Sequence, residues 1–210
     1  MLISRRAVLK SLAMFGIAGS CGLFFSQNVM AGQMNFESYQ GKILIAYFSR
    51  TGENYGVGTI DKGNTEIVAE LIRQKTGGEL FHIEPAVQYP QNYNECTELA
   101  KKEKNAKARP SLAKTLDSIQ GYDIIFLGFP NWWGDVPMPV YTFVEQFDFT
   151  GKIIIPFCTH EGSGLRNIPQ KIGSACKGAT LLKGLAVRGS DAQNSQQKVQ
   201  DAVNMWLADL

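Results

Sequence analysis

From residue 41 onward, apolar runs alternate with stretches whose apolar positions recur every three or four residues. Five such runs occupy residues 42–48, 79–84, 122–129, 152–158 and 180–187. The first, third and fourth are almost continuously apolar, as expected of strands buried on both faces of a parallel sheet. The second alternates, with Leu80, His82 and Glu84 on one side and Phe81 and Ile83 on the other, which suits an edge strand. His82 therefore reads as an edge-strand surface residue rather than a ligand. Residues 65–75 place Ile67, Val68, Leu71 and Ile72 on one helical face and stop at Gly77-Gly78, a helix C-terminal signal. Residues 92–108 carry Cys96, Leu99, Ala100 and Glu103 at helical spacing and end before Pro110. Residues 192–210 set Val199, Val203, Trp206 and Leu210 on one stripe, so Trp206 and Cys96 read as core.

Five strands with helical crossovers predict an α/β three-layer sandwich around a five-stranded parallel sheet, and permit the order 2-1-3-4-5. A ligand is then expected beyond the carboxyl ends, where the order reverses between the first and third strands. Residues 32–40 are polar and patternless and read as a linker. With 210 residues, 44% hydrophobic and 19% charged, the chain suffices for one core but not for two ordinary domains.

The first 31 residues differ from the rest. Arg5, Arg6 and Lys10 precede an apolar stretch over residues 12–25, and Val29-Met30-Ala31 follows. Paired arginines, a short apolar span and small residues at a cut site have the form of an export signal, and residues 4–10 resemble the twin-arginine type. Cleavage is expected after Ala31, leaving residues 41–210 as a periplasmic domain that meets the membrane only during export. The apolar stretch falls short of the ~20 residues a spanning helix needs. Lipid attachment at Cys21 ranks lower, because Leu23, Phe24 and Phe25 continue the apolar run past it.

The formal charge of +2 comes from that leader; no acid precedes Glu37, so the remainder sums to −1. A near-neutral body gives no case for nucleic-acid binding. Lys101, Lys102, Lys104 and Lys107 lie among Glu98 and Glu103 and read as a solvated helix face. Cys21, Cys96, Cys158 and Cys176 match no metal-ligand spacing, so no metal is expected. Three cysteines would remain after cleavage, and one pair among them could join.

Chemistry concentrates in the loops after the first, third and fourth runs. Ser49-Arg50-Thr51-Gly52 is followed by an excursion over residues 53–62 and then by Gly63-Asn64-Thr65 at a helix start. Hydroxyls and free amides at a helix N-terminus form an anion cradle. No Gly-Lys-Ser/Thr follows, and Gly56-Val57-Gly58 lies inside the excursion, so neither a P-loop nor a dinucleotide fingerprint is present. The second loop, Pro130-Asn131-Trp132-Trp133-Gly134, puts two indoles at a strand end, where a flat ring can stack. In the third, Thr159-His160-Glu161-Gly162-Ser163-Gly164, the glycines let the backbone approach a ring edge.

These three motifs, in this order, resemble the flavodoxin family over residues 41–210, especially flavodoxin-like members with a Trp-Trp-Gly loop and a Phe-Cys-Thr third loop. The resemblance implies FMN. Its phosphate would lie on Ser49, Thr51, Asn64 and Thr65, near the Arg50 and Gly63 backbones. Asn131, Trp132, Trp133 and Gly134 would flank the isoalloxazine, Trp133 touching it and Trp132 packing beside it, with the roles reversible. Gly134 would be the peptide that turns toward the ring. Pro130, Thr159, His160, Gly162 and Gly164 complete the expected site.

Two departures matter. The excursion splits the usual phosphate loop and is expected to loop out over flavin or substrate. The third loop lacks the usual covering aromatic, leaving His160 as its planar side chain and one ring face open to a small molecule. That favours an FMN-dependent oxidoreductase with a quinone-like acceptor, in which His160 and Glu161 are candidate proton donors. The alternative is a carrier docking to redox protein partners. A nucleophilic role for Cys158 with His160 lacks the required strand-end elbow. A phosphoacceptor reading fails because Phe48-Ser49 and Phe129-Pro130 stand where aspartates would be needed.

Overall fold

The computed structural model describes residues 34–36 and 38–210. The expected leader, its cleavage site and Cys21 lie outside the described residues. Strand β1 (Ile43–Tyr47) is the first apolar run, and a small antiparallel hairpin follows from β2 (Gly52–Asn54) and β3 (Gly58–Ile60). Helix α1 (Asn64–Thr76) leads to β4 (Glu79–His82), and α2 (Tyr93–Ala106) to β5 (Ile124–Pro130). After α3 (Met138–Val144) come β6 (Ile153–His160), α4 (Ile168–Ala175), β7 (Thr180–Leu181) and β8 (Leu185–Arg188). Helices α5 (Gly189–Asn194) and α6 (Gln196–Ala208) close the chain.

The main sheet is parallel throughout, in the order β4-β1-β5-β6-β7, with β8 also pairing β6. Counting the five apolar runs as they occur, this is the second-first-third-fourth-fifth order expected. The detail differs in one place. The fifth run is two short strands, β7 beside Ile153 and Ile154 and β8 beside residues 157–160, with Leu182, Lys183 and Gly184 between them.

Every central strand alternates between two cores, as the period of two demands. Leu44 and Ala46 of β1, Ile125, Leu127 and Phe129 of β5, and Ile154 and Cys158 of β6 face one apolar cluster, with Cys96, Val140, Phe143, Ile168 and Ile172 from α2, α3 and α4. Ile43, Ile45, Tyr47, Ile124, Phe126, Ile155 and Phe157 face the other, with Ile67, Val68, Ile72, Ala192, Val199, Val203 and Trp206. Helix α1 ends as its glycines require, Gly77 taking φ 67° and donating its N–H to Arg73 O. His82 lies on the edge strand but is not simply a surface residue. Its ring stacks on Tyr47 at 5.0 Å, and its Nε2 lies 3.2 Å from Ser49 O.

Within the expected linker, Met34, Phe36 and Tyr39 do more than link. Phe36 is buried and its ring lies 5.7 Å from Phe126, while Met34 and Tyr39 pack against the same cluster. Isolated apolar residues in a polar stretch carry no period, which is why this docking left no trace in the sequence pattern. Among the described residues, no helix is long and apolar enough to cross a membrane.

Candidate functional site

The carboxyl ends of β1, β5 and β6 converge where the strand order reverses. From β1 the chain drops Phe48 into the core and turns at Ser49, whose Oγ accepts the Glu66 N–H at 3.1 Å. Ser49 thus caps α1 from outside the helix, because the N-cap residue itself is Gly63 and has no side chain to do so. Gly63 is required by space. A Cβ there would stand 2.1 Å from Ser49 Oγ and 2.8 Å from Arg50 O. Thr65 is buried with its hydroxyl 2.7 Å from that of Thr159, tying the first turn of α1 to β6. Asn64 Oδ1 accepts from Gln193 Nε2 at 2.8 Å. Ser49, Gly63, Asn64 and Thr65 therefore meet as expected, around the positive end of a helix dipole. Thr51 is exposed.

The Arg50 side chain leaves the cradle. Its guanidinium donates to Glu53 O at 2.6 Å, Pro90 O at 2.6 Å and Gln91 O at 2.7 Å, so it ties the hairpin to the loop before α2. Its Nε is buried with no partner. Glu53 strengthens this joint, its carboxylate accepting from Asn92 Nδ2 at 3.0 Å and from the Tyr93 N–H at 2.9 Å at the start of α2. The excursion is thus an ordered hairpin. Its tip carries Tyr55, 65% exposed and tilted against Tyr93 at 5.9 Å.

The second loop is a two-residue hairpin turn. Trp132 and Asp135 exchange backbone hydrogen bonds at 2.9 and 3.0 Å, while Trp133 and Gly134 take φ of 58° and 71°. Positive φ at both central positions marks a type I′ turn, natural for Gly134 and costly for a tryptophan. The two indoles part company here. Trp132 packs inward, edge-on to Phe48 at 5.2 Å and Tyr89 at 5.0 Å. Trp133 lies outward on α2, 49% exposed. Its Nε1 donates to Thr97 O at 3.0 Å, Lys101 Nζ sits 5.0 Å from its ring centroid, and Lys104 Nζ donates to its carbonyl. Two lysines of the supposed solvated face are thus engaged in holding the turn.

Further bonds brace it. Asn131 accepts the Gly134 N–H at 2.9 Å and donates to Gly164 O at 2.7 Å, joining the second and third loops. Asp135 accepts from Val136 N and the Tyr141 hydroxyl at 2.9 Å each, and from Lys171 Nζ at 2.6 Å. Lys171 also donates to Gly134 O at 3.1 Å. Burial and the neighbouring Asp135 charge push the Tyr141 phenol well above its ordinary range.

In the third loop, His160 Nδ1 accepts the Gly162 N–H at 2.8 Å. Burial pulls His160 below its ordinary value, which agrees with a neutral ring whose proton is assigned to Nε2. The Glu161 carboxylate accepts from Ser190 N at 2.6 Å and Ser190 Oγ at 3.1 Å at the start of α5. Burial pushes the Cys158 thiol up to about 12, so no thiolate is available for nucleophilic work. The three described cysteines are free and buried.

These loops enclose a cavity of about 260 Å³ lined by Asn54, Tyr55, Asn64, Tyr93, Pro130, Asn131, Trp132, Thr159, His160, Glu161 and Ser163. A trough of about 220 Å³ adjoins it through Asn54, Tyr93, Asn131 and Trp132, and continues to Arg50, Cys96, Thr97, Ala100 and Trp133. The lining residues Asn54, Tyr55 and Tyr93 were not anticipated, since nothing in the spacing links the excursion to the start of α2. Among the described residues no group of three or more acidic, Cys or His side chains could hold a metal.

A family model described as Flavodoxin matches residues 42–206. No curated protein matches in sequence. Among solved structures, a protein of Bacteroides uniformis provisionally described as a flavoprotein is 30% identical, with a TM-score of 0.62 over 78% of this chain and 98% of that one. A counterpart from Bacteroides eggerthii is 27% identical, with a TM-score of 0.61 over 78% and 96%. A Lactobacillus acidophilus flavoprotein in complex with FMN shares the fold at 20% identity, with a TM-score of 0.55 over 75% and 99%.

Proposed function

The chain belongs to the flavodoxin family, and from that premise we propose that it binds FMN and serves as an oxidoreductase between a reductant and a small-molecule acceptor such as a quinone. One observation carries the reading. The glycine-capped start of α1, packed so closely on Ser49 that no side chain fits at Gly63, brings Asn64 to the wall of an aromatic-sided cavity at the ends of β5 and β6.

The residues present suit FMN. The first amides of α1 and the Ser49 hydroxyl offer donors to a phosphate dianion, and the helix dipole favours its charge. Thr65 would serve mainly through its backbone, since its hydroxyl is engaged with Thr159. Trp132 is the better ring-bearing indole, because it lines the cavity and Trp133 does not. Asn131 and Thr159 offer polar groups beside it, with Pro130 completing that edge. When bound, FMN supplies reversible one- and two-electron chemistry. His160 carries its proton on Nε2 and is the candidate donor toward substrate. Glu161 is less suited, being held by Ser190. Gly134 as a turning peptide would first have to release the Lys171 bond to its carbonyl.

Residues 1–31 support an exported site of action. The half-exposed Trp133 between Lys101 and Lys104 favours a second reading, an electron carrier docking to a redox protein.

Purified protein should carry a flavin chromophore that chromatographs as FMN, and should oxidise NADH or NADPH faster when a quinone is supplied. Flavin without quinone turnover would favour the carrier. A colourless protein that takes up no added FMN would end both readings.

A further inference from the structure

We infer that the trough between α2 and the Trp132–Asp135 turn is a separate subsite for the electron acceptor, suited to a flat ring bearing an oxygen that gains negative charge on reduction, as a quinone does. The inference rests on the flavin reading above for its neighbour, the larger cavity, and on the trough's own chemistry for its ligand.

The trough is sided by Trp132, Trp133 and Tyr93, three aromatic side chains whose faces and edges hold flat rings. At about 220 Å³ it lies below the ~300–1,000 Å³ of pockets for drug-sized ligands, which limits it to one or two fused rings. Arg50 is the one charged residue lining it. The terminal guanidinium nitrogens are already committed to three backbone carbonyls, yet none of the ion pairs among the described residues involves Arg50. Its Nε–H is buried without an acceptor and out of reach of the trough, so Arg50 offers an occupant its charge and not a free donor. A fixed cation beside an oxygen that gains charge on reduction also stabilises the reduced form.

Position supplies the second argument. The trough and the cavity share Asn54, Tyr93, Asn131 and Trp132, so occupants of the two would lie side by side, as electron transfer at near contact requires. In turnover a quinone would leave as the quinol, taking up two electrons and two protons. A reduced nicotinamide supplies both electrons and one hydrogen as a hydride and leaves oxidised, and the second proton comes from solvent. Trp133 then has a reason to occupy a strained turn position half in solvent, because it forms the outer wall.

The test is equilibrium dialysis of 2-hydroxy-1,4-naphthoquinone against the oxidised, FMN-loaded protein with no reductant present. One equivalent should bind beside FMN. Ala100→Leu projects from the buried face of α2 into the trough and should weaken the probe by about tenfold or more while FMN affinity stays within about twofold. Thr97→Phe, at a half-buried position, does the same if Ala100→Leu fails to fold. Arg50→Gln removes the charge from the trough wall and should weaken the hydroxylated probe more than it weakens FMN. One-for-one displacement of the probe by FMN would overturn the inference, making the trough the flavin's own bed. Equal probe binding in both blocked variants would overturn it too. If the protein takes up no FMN, the flavin reading fails on its own. The same dialysis on flavin-free protein still decides the trough, with binding lost in the blocked variants supporting it and absent or unaltered binding sinking it.

Discussion

The two halves of the site are made in different ways. Around the start of α1, the buried groups that shape the cradle are fixed by the sheet. Ser49 follows β1, Thr159 lies in β6, and Thr65 and Gly63 are pressed between them with no spare volume. Around Trp133, by contrast, the walls hang from outer elements. The indole rests on one hydrogen bond to Thr97 O and two lysines of α2, and the facing hairpin is tied at its base through Arg50 and Glu53 with Tyr55 exposed at its tip. On the proposed reading the first half holds an invariant phosphate, so it can be rigid. The aromatic half would meet the exchangeable ligand and is held by contacts that can be remade.

Substitutions in each half test that contrast. The largest effect is expected from Trp132→Ala, which empties the edge-on contacts with Phe48 and Tyr89. It should cost about 3–5 kcal/mol of stability in urea unfolding; a cost below about 1 kcal/mol would place Trp132 with the outer half instead. Next is Gly63→Ala. A methyl 2.1 Å from Ser49 Oγ forces the cradle apart, and FMN affinity should fall by about 100-fold, or about 2.7 kcal/mol, in a fluorescence titration. Retained affinity would show that the phosphate lies elsewhere.

Ser49→Ala removes the acceptor of the Glu66 N–H and should cost about 1 kcal/mol of stability, as loss of a helix cap does. Trp133→Gly is the counterpart in the outer half. It relieves a positive φ while giving up an exposed ring, so stability should stay within about 1 kcal/mol of the parent while naphthoquinone binding falls. A large loss of stability would mean that Trp133 is structural after all.

The smallest effect concerns acid. His160 is held below its ordinary 6.5, chiefly by burial, so the unfolded chain binds a proton more readily than the folded one. Stability from this group is present above that value and is lost as pH falls through the lower folded one. The protection of the Gly162 N–H against exchange with solvent deuterium, relative to the intrinsic rate at each pH, should then fall at acidic pH, and His160→Gln should flatten that dependence. Unchanged protection would mean that the Nδ1 contact does not hold the loop.

Much of the fold was legible because strand burial on two faces and helical stripes leave periods in the sequence. Residues 42–48 and 152–158 needed no partner to be read as central strands, and Val199, Val203 and Trp206 announced their helix. The helices α3 and α4, each of seven or eight residues, are too short for a period to stand out, and went unread. The cradle was also legible, since Ser49, Gly63 and Thr65 frame a local helix start. The engaged roles of Lys104, Glu161 and Arg50 were not, because each depends on a carbonyl or amide brought from a distant segment.

Local pattern and chain connectivity thus carry the layered architecture and the helix start framed by Ser49, Gly63 and Thr65, and they permit the strand order that is observed. Contacts made in the folded chain settle that the excursion is a hairpin docked on α2, that Trp132 packs inward while Trp133 lies on α2, and that the Arg50 guanidinium, held by three carbonyls, borders the trough. Those outcomes rest on contacts between residues some 40 positions apart, such as Arg50 with Pro90 and Gln91, and no period or propensity within either segment encodes the partner.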